Sequence, residues 1–288
     1  MDEPGFISNM RIAILGLGLM GGSLALALKG RCKELIGVDH DPDVLALALE
    51  KKAVDRAFTS AAEALSEADL LVLATPVRTI LSLLGSLPEP PPQGLIVIDL
   101  GSTKTEIVAA MQALPERFDP IGGHPMCGKE TSSLAAADAA IYLQAPFALT
   151  PLHRTSERAK AAALDLVNTI GARPIWLNPQ THDYWVAASS QLPYLLSNAL
   201  SAVTPDDVAP LIGPGFVSTS RVGATSPDMM LDALLTNRQN ALIALRGLRA
   251  RIDQMENALN CEDGPKLTKL LKTGAQNRRR LLELAGRG

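Results

Sequence analysis

The sequence predicts an α/β protein, a doubly wound parallel sheet followed by an all-α region. Three observations carry that expectation. Short apolar runs alternate with helical stretches from Arg11 to Leu177. The first run leads through Gly16-Leu-Gly18-Leu-Met-Gly21 into a helical stretch. Beyond Thr181 the pattern is helical only, with apolar residues of 237–260 recurring at spacings of three and four. Alternation of this kind gives a parallel sheet with helices on both faces, whereas the later spacing gives helices alone.

Taken in order, residues 1–9 read as a loose extension, and residues 12–15 are apolar enough for a buried strand. Gly16 permits a tight strand-to-helix turn, Gly18 lets a pyrophosphate approach the backbone, and Gly21 allows close helix–strand packing. The helix N-terminus offers free N–H groups and a positive dipole end to phosphates. A second apolar run, 35–38, ends on Asp39, where a carboxylate accepts hydrogen bonds from an adenine ribose. Strand, glycines, helix, strand and acid in this order predict a Rossmann-type dinucleotide site. The acid repels a 2′-phosphate, so NAD is expected over NADP.

Asp41-Pro42 turns into a helix over 44–52, and a short helix follows at 61–68. Residues 70–74 form an apolar strand closed by Thr75-Pro76, then a helix spans 80–87. The run Pro88-Glu-Pro-Pro-Pro92 is a rigid connector. A strand at 95–100 precedes Gly101-Ser102-Thr103-Lys104 and a helix to Leu114. Residues 120–130, dense in Gly and Pro, read as a shaped loop. Strands at 147–150 and 173–177 bracket a helix over 156–170. The expected division is an NAD-binding domain at 8–180 and an all-helical substrate and dimerisation domain at 181–288. In the helix at 237–260, Leu245, Leu248, Ile252, Met255 and Leu259 form one stripe. It reads first as a core-facing seam, and helices of this length also suit packing against a twin subunit.

Composition narrows the function. The chain has 288 residues, 47% of them hydrophobic, and a net charge of −3, which excludes a general nucleic-acid surface. Three cysteines without a CxxC pair fit a reducing compartment and no metal site. No run reaches the roughly 20 apolar residues of a membrane span, and the N-terminus lacks a signal pattern. A cytoplasmic protein is expected.

Of the four histidines, His124 stands out, because Gly122-Gly123-His124-Pro125 would lie beyond the carboxyl end of a strand, where such sheets bind ligands. His40 reads as lying near the adenosine or in solvent, and His153 as exposed. At His182-Asp183, a helix cap by Thr181 or Asp183 competes with a catalytic reading. Ser102 precedes a capping-box pattern, Thr103-Lys-Thr-Glu106, yet a hydroxyl at a strand end can reach the nicotinamide side. Cys127 reads as a small loop residue. Pro193 interrupts a helical pattern and marks a kink, and Arg221, ending a Gly-rich turn, could grip a carboxylate.

These segments together resemble the prephenate and arogenate dehydrogenases of tyrosine biosynthesis. GLGLMGGSLA, ATPV, DLGSTK, GGHPMCGKE, HDYWVAASSQLP and GPGFVSTSR occur in the family's order, from Arg11 to about Arg280. The resemblance implies oxidative decarboxylation, with hydride passing to NAD and the ring carboxylate leaving as CO2. It makes His124 the acceptor for the substrate 4-hydroxyl, Ser102 the residue that orients it, Arg221 the carboxylate grip and Glu130 an acid near the mouth. It implies a cofactor set of Gly16, Gly18, Leu19, Met20, Gly21, Asp39, Thr75 and Pro76, and a homodimer through the helical domain. Many members read SHLPH where this chain has Ser190-Gln191-Leu192-Pro193-Tyr194. Gln191 and Tyr194 therefore bear on the choice between a keto acid, prephenate, and an amino acid, arogenate. Ser218 and Met230 also depart from the family's acid and tryptophan. The alternatives are an arogenate or dual-specificity cyclohexadienyl dehydrogenase, another Rossmann-plus-helices reductase, or an NAD-sensing module without turnover.

Overall fold

The computed structural model describes residues 5–129 and 133–286. Internal contacts divide the chain into two units, Met1–Arg238 and Gln239–Gly288. The first is built on an eight-stranded sheet. Its strands are β1 (Arg11–Leu15), β2 (Glu34–Val38), β3 (Arg56–Phe58), β4 (Leu70–Leu73), β5 (Leu95–Asp99), β6 (Phe118–Pro125), β7 (Pro146–Pro151) and β8 (Arg173–Trp176). They lie in the order β3-β2-β1-β4-β5-β6-β7-β8. The first six are parallel, the order of a Rossmann sheet with its switch point between β1 and β4. β7 pairs antiparallel with β6, and β8 runs parallel to β7.

Two cores lie on opposite faces of this sheet. Ile12, Ile14, Leu70, Val72, Ile96 and Ile98 pack on one face with α1 (Leu19–Leu28), α2 (Pro42–Glu50) and α6 (Glu157–Thr169). Leu15, Leu71, Leu73 and Val97 pack on the other with α3 (Ala61–Leu65), α4 (Val77–Leu84) and α5 (Thr105–Gln112). Burial on both faces explains why the central strands read as unbroken apolar runs instead of alternating ones. Each fully buried Leu or Ile contributes about 1.5–3 kcal/mol by transfer from water.

Two expectations about this unit are corrected and one strand is added. Residues 120–125 are not a loop but most of β6, paired with β7 from Ile121↔Pro151 to Pro125↔Phe147. The glycines there make room. A Cβ on Gly122 would sit 2.1 Å from Thr150 Oγ1, and one on Gly123 would sit 2.6 Å from the Asp99 carbonyl. Glycine inside a strand marks such close approach. The Arg154 guanidinium then fixes the start of β6 by donating to the carbonyls of Leu114, Pro115 (2.8 Å) and Phe118 (2.5 Å). Second, the N-terminal extension is not loose throughout. Phe6–Asn9 form a 3₁₀ turn with Ile7 buried and its N–H bonded to Asp165 at 2.8 Å. The strand β3 was not foreseen; it has three residues and lies at the sheet edge.

After β8 the chain is helical: α7 (Pro179–Val186), α8 (Leu192–Val203), α9 (Pro214–Ser220) and α10 (Pro227–Thr236). Asn178 caps α7 by accepting the Thr181 N–H at 2.7 Å, so neither Thr181 nor Asp183 is that cap. A π-turn, Ala187–Gln191, joins α7 to α8. It absorbs Pro193, which has no N–H to give and would clash with a regular preceding turn.

The second unit comprises α11 (Arg238–Asn260) and α12 (Gly264–Leu284), the latter capped by Asp263 on the Lys266 N–H at 2.9 Å. The seam read from sequence is not a core within one chain. Leu245, Ile252 and Leu259 of α11 and Leu271 and Leu281 of α12 are exposed. Among the described residues, no helix is long and apolar enough to cross a membrane.

Candidate active site

The β1–α1 turn has the build of a phosphate cradle. Gly16 adopts φ +93°, and a Cβ there would meet Thr75 Cγ2 at 2.7 Å. A Cβ on Gly21 would come within 1.9 Å of the Gly16 carbonyl, so only glycine lets α1 sit this close. The first rung of α1 runs from the Gly22 N–H to the Gly18 carbonyl at 2.9 Å. The N–H groups of Leu19, Met20 and Gly21 lie ahead of it, where a helix has no acceptors of its own. The Leu19 side chain is buried, and the Met20 carbonyl accepts the Tyr142 hydroxyl at 2.7 Å, which pins this end of the helix.

Asp39 closes the other side of the turn. Its carboxylate accepts the N–H groups of Leu17 (2.8 Å) and Asp41 (3.1 Å), and His40 beside it is in solvent. Thr75 follows β4 at the switch point, with Pro76 exposed after it. The Thr75 hydroxyl is buried and has no hydrogen-bond partner among the described residues. An unmet buried hydroxyl costs about 1–3 kcal/mol. Next to an open helix N-terminus it fits a site completed by a dinucleotide.

A second, buried polar cluster forms where β5 and β6 end. Asp99, fully buried, accepts the N–H groups of Gly101 (2.8 Å) and Gly123 (3.0 Å) and forms an ion pair with the equally buried Lys104. The main-chain N–H groups of Lys104 and Thr105 donate to Asp183 at 2.7 and 2.9 Å. Asp183, on α7, thus caps α5 from across the fold. The capping box expected at Thr103–Glu106 does not form, and Thr103 instead bonds the Thr236 hydroxyl at 2.8 Å.

His124 lies in β6, buried, with its Nδ1 2.8 Å from Nε2 of His182. Nδ1 of His182 is in turn 2.8 Å from Asp183 Oδ1. This chain fixes the protons. An ionised carboxylate only accepts, so His182 Nδ1 carries a hydrogen and its Nε2 does not. His124 Nδ1 must then donate to His182, which leaves His124 Nε2 as a bare lone pair.

Burial, then the neighbouring His182 and Lys104, hold His124 well below the ordinary imidazole range. Burial also lowers His182, against the pull of Asp183. For Asp183 burial acts upward but is outweighed by the bonds from His182, Thr105 and Lys104, and its carboxyl lies below the usual range. Burial lowers Lys104, opposed by Asp99 and Asp183. The two imidazoles are therefore uncharged at neutral pH, beside an ionised Asp183.

The other sequence candidates fall around this cluster. Ser102 is half-buried after β5, and its side chain makes no hydrogen bond among the described residues. Orientation of His124, assigned to Ser102 by resemblance, comes from His182 here. Gln191 is buried in the π-turn with its amide taken up by the Ala233 carbonyl (2.9 Å) and Asn237 (3.0 Å). Asn237 also donates to the Asp183 carbonyl at 2.7 Å, so Gln191 braces the relay instead of facing solvent. Tyr194 is buried on α8, and Arg221 is exposed just after α9, a helix where a Gly-rich turn was expected. Glu130 lies outside the described residues. Burial raises the Cys127 thiol to about 11, in line with a small packing residue. Among the described residues no His, Cys, Asp or Glu group is arranged to hold a metal.

His182, Asp183, Asp99 and Lys104 were not foreseen in these roles. The adjacent His182-Asp183 pair was visible, but its reach to α5 and β6 is a long-range fact. Lys104 carried one signal, a cation a few residues after an apolar strand.

Comparison with known proteins agrees with the motif order. Residues 24–176 match the nucleotide-binding domain of prephenate dehydrogenase, and residues 178–273 match its dimerization domain. Prephenate dehydrogenase from Bacillus subtilis (strain 168) is 32% identical over 93% of this chain and 75% of its own length. Among solved structures, prephenate dehydrogenase from A. aeolicus in complex with hydroxyphenyl propionate and NAD+ superposes with a TM-score of 0.84. It is 26% identical, over 95% of this chain and 99% of that one. Synechocystis arogenate dehydrogenase gives a TM-score of 0.77 at 30% identity, over 94% of this chain and 100% of that one. The chain belongs to the prephenate dehydrogenase family.

Proposed function

We propose that the protein is an NAD-dependent prephenate dehydrogenase, converting prephenate to 4-hydroxyphenylpyruvate and CO2. The observation that carries this reading is the Asp183–His182–His124 chain, which leaves one buried imidazole nitrogen unprotonated at the carboxyl edge of the sheet. Bound NAD supplies the hydride acceptor. As the ring carbon bearing the 4-hydroxyl gains carbonyl character, the hydroxyl proton passes to His124 Nε2. Loss of the ring carboxylate as CO2 leaves its electron pair to complete the aromatic ring, and the proton returns to the phenolate oxygen. His182 and Asp183 share the transient charge, as a positioned base and its orienter do.

Gly16, Gly18, Leu19, Met20 and Gly21 hold the pyrophosphate, and Asp39 takes the adenine ribose. Thr75, with Pro76, offers its buried hydroxyl to the cofactor. Ser102 bonds the substrate hydroxyl and Arg221 the substrate carboxylate. Residues 8–180 form the NAD-binding domain and 181–288 the substrate and dimerisation domain of a cytoplasmic homodimer.

Arogenate is the second reading. Gln191 and Tyr194 bear on it, because they stand where many members have histidines, the second of them often near the substrate's side chain. The test is NADH formation by the purified protein with prephenate or arogenate, each with NAD or NADP. Turnover of prephenate with NAD is expected. Preference for arogenate keeps the chemistry and changes the substrate, and silence on both rejects the reading.

A further inference from the structure

Lys104 has no place in the assignments above, yet two arms run from it to His124. Its ammonium holds Asp99, whose other oxygen holds the Gly123 N–H at 3.0 Å, one residue before His124. Its main-chain N–H holds Asp183 at 2.7 Å, which anchors His182 and through it His124. Lys104 and Asp99 are both fully buried. An ion pair withdrawn from water in this way contributes little to stability, because desolvation offsets the attraction. A role beyond stability explains its place.

Resting on the function read above, we propose that Lys104 is a positioning residue whose fixed positive charge keeps the His124–His182 pair unprotonated, so that His124 stays a proton acceptor into mildly acidic solution. The charged and titratable groups around His124 among the described residues are His182 and Asp183 from α7, Lys104 ahead of α5, and Asp99 at the end of β5. Asp183 and Asp99 favour protonation of the pair, and Lys104 opposes it. The positive charge of Lys104 pushes both histidines downward, in the same direction as their burial.

Removing Lys104 alone would strand a buried carboxylate, so the deciding variant is the double substitution Asp99→Asn/Lys104→Met. Asp99→Asn alone is the second variant, since a buried lysine without its partner gives up its proton. The direct readout is imidazole NMR titration, practical in a chain of four histidines and assigned with His124→Asn and His182→Asn. His124 is expected to titrate about one pH unit higher in the double variant than in the parent, the size of shift a neighbouring charge produces. The acidic limb of kcat/KM for prephenate is expected to rise with it. If the double variant does not fold, the same rise in Asp99→Asn decides the matter. An unmoved His124 titration in the folded variant overturns the proposal and makes the pair structural. The NMR result stands whether or not the parent turns over prephenate. A silent parent rejects the function, and an unmoved titration rejects the role of Lys104.

Discussion

The interior beside His124 and the outer faces of α11 and α12 invert the usual distribution of polarity. In the first, two carboxylates, an ammonium and two imidazoles are withdrawn from water, each tied to a main-chain or side-chain partner. In the second, Ile252 is 48% and Leu259 62% exposed on one side of a long helix. Buried charge is retained where it fixes geometry and protonation. The difference teaches that the two units handle polarity in opposite ways: one withdraws charge from water to fix side-chain geometry, the other leaves apolar side chains to solvent.

The comparison breaks most readily at His124. His124→Asn is expected to lower kcat by roughly a hundredfold or more with little change in KM, as loss of a proton acceptor requires. Steady-state NADH production measures it, and unchanged kcat would remove His124 from the chemistry. On the helical side, Ile252→Asp/Leu259→Asp is expected to weaken self-association by at least tens of fold, since each apolar side chain contributes about 1.5–3 kcal/mol when buried. Sedimentation would show monomer, and an intact dimer would place the interface elsewhere. Arg221→Ala should raise substrate KM about tenfold and leave NAD affinity alone, as loss of one carboxylate grip predicts. A changed NAD affinity, read by fluorescence titration, would relocate that residue.

His182→Phe should cost about tenfold in kcat, because the ring persists while the acceptor that selects the His124 tautomer is lost. The smallest effect is on stability. Both histidines are depressed in the fold from an ordinary value of 6.5. Their protonation therefore favours the unfolded chain. Their contribution is complete above about pH 6.5 and is lost as the pH falls from there towards their folded values. Thermal melts should decline through that window, and the His124→Asn/His182→Asn protein should decline less steeply. Parallel curves would mean the two rings do not control acid stability.

How much of this was legible follows from how far each interaction reaches. The β1–α1 turn was readable because its requirements lie within one short segment: a positive φ at Gly16, close packing at Gly21 and an acid at Asp39. β6 was misread because Gly122 and Gly123 are demanded by Thr150 and Asp99, which come from other strands. Local composition carries no trace of such neighbours. Capping followed the same rule. Asn178 acts on its own helix, whereas Asp183 caps a helix whose first residue is 78 positions earlier in the chain. His124 was singled out from sequence but its surroundings were not legible there, since the chain of contacts joins β6, α7 and the start of α5. The stripe of α11 was seen correctly as apolar, but sequence periodicity does not say whether the surface opposite belongs to the same chain.

The π-turn at Ala187–Gln191 sets the angular phase of everything after it on α8. It inserts an extra residue into an otherwise continuous spiral. Excising one residue from it would restore regular pitch and rotate the following helix by about 100° about its axis, the turn that one residue makes. Tyr194 would leave its buried position, and Gln191 would swing away from Ala233 and Asn237. The placement of these two side chains is therefore a matter of phase as well as of residue identity. An exchange of Gln191 and Tyr194 for histidines changes the groups presented, whereas a length change here changes which face presents them.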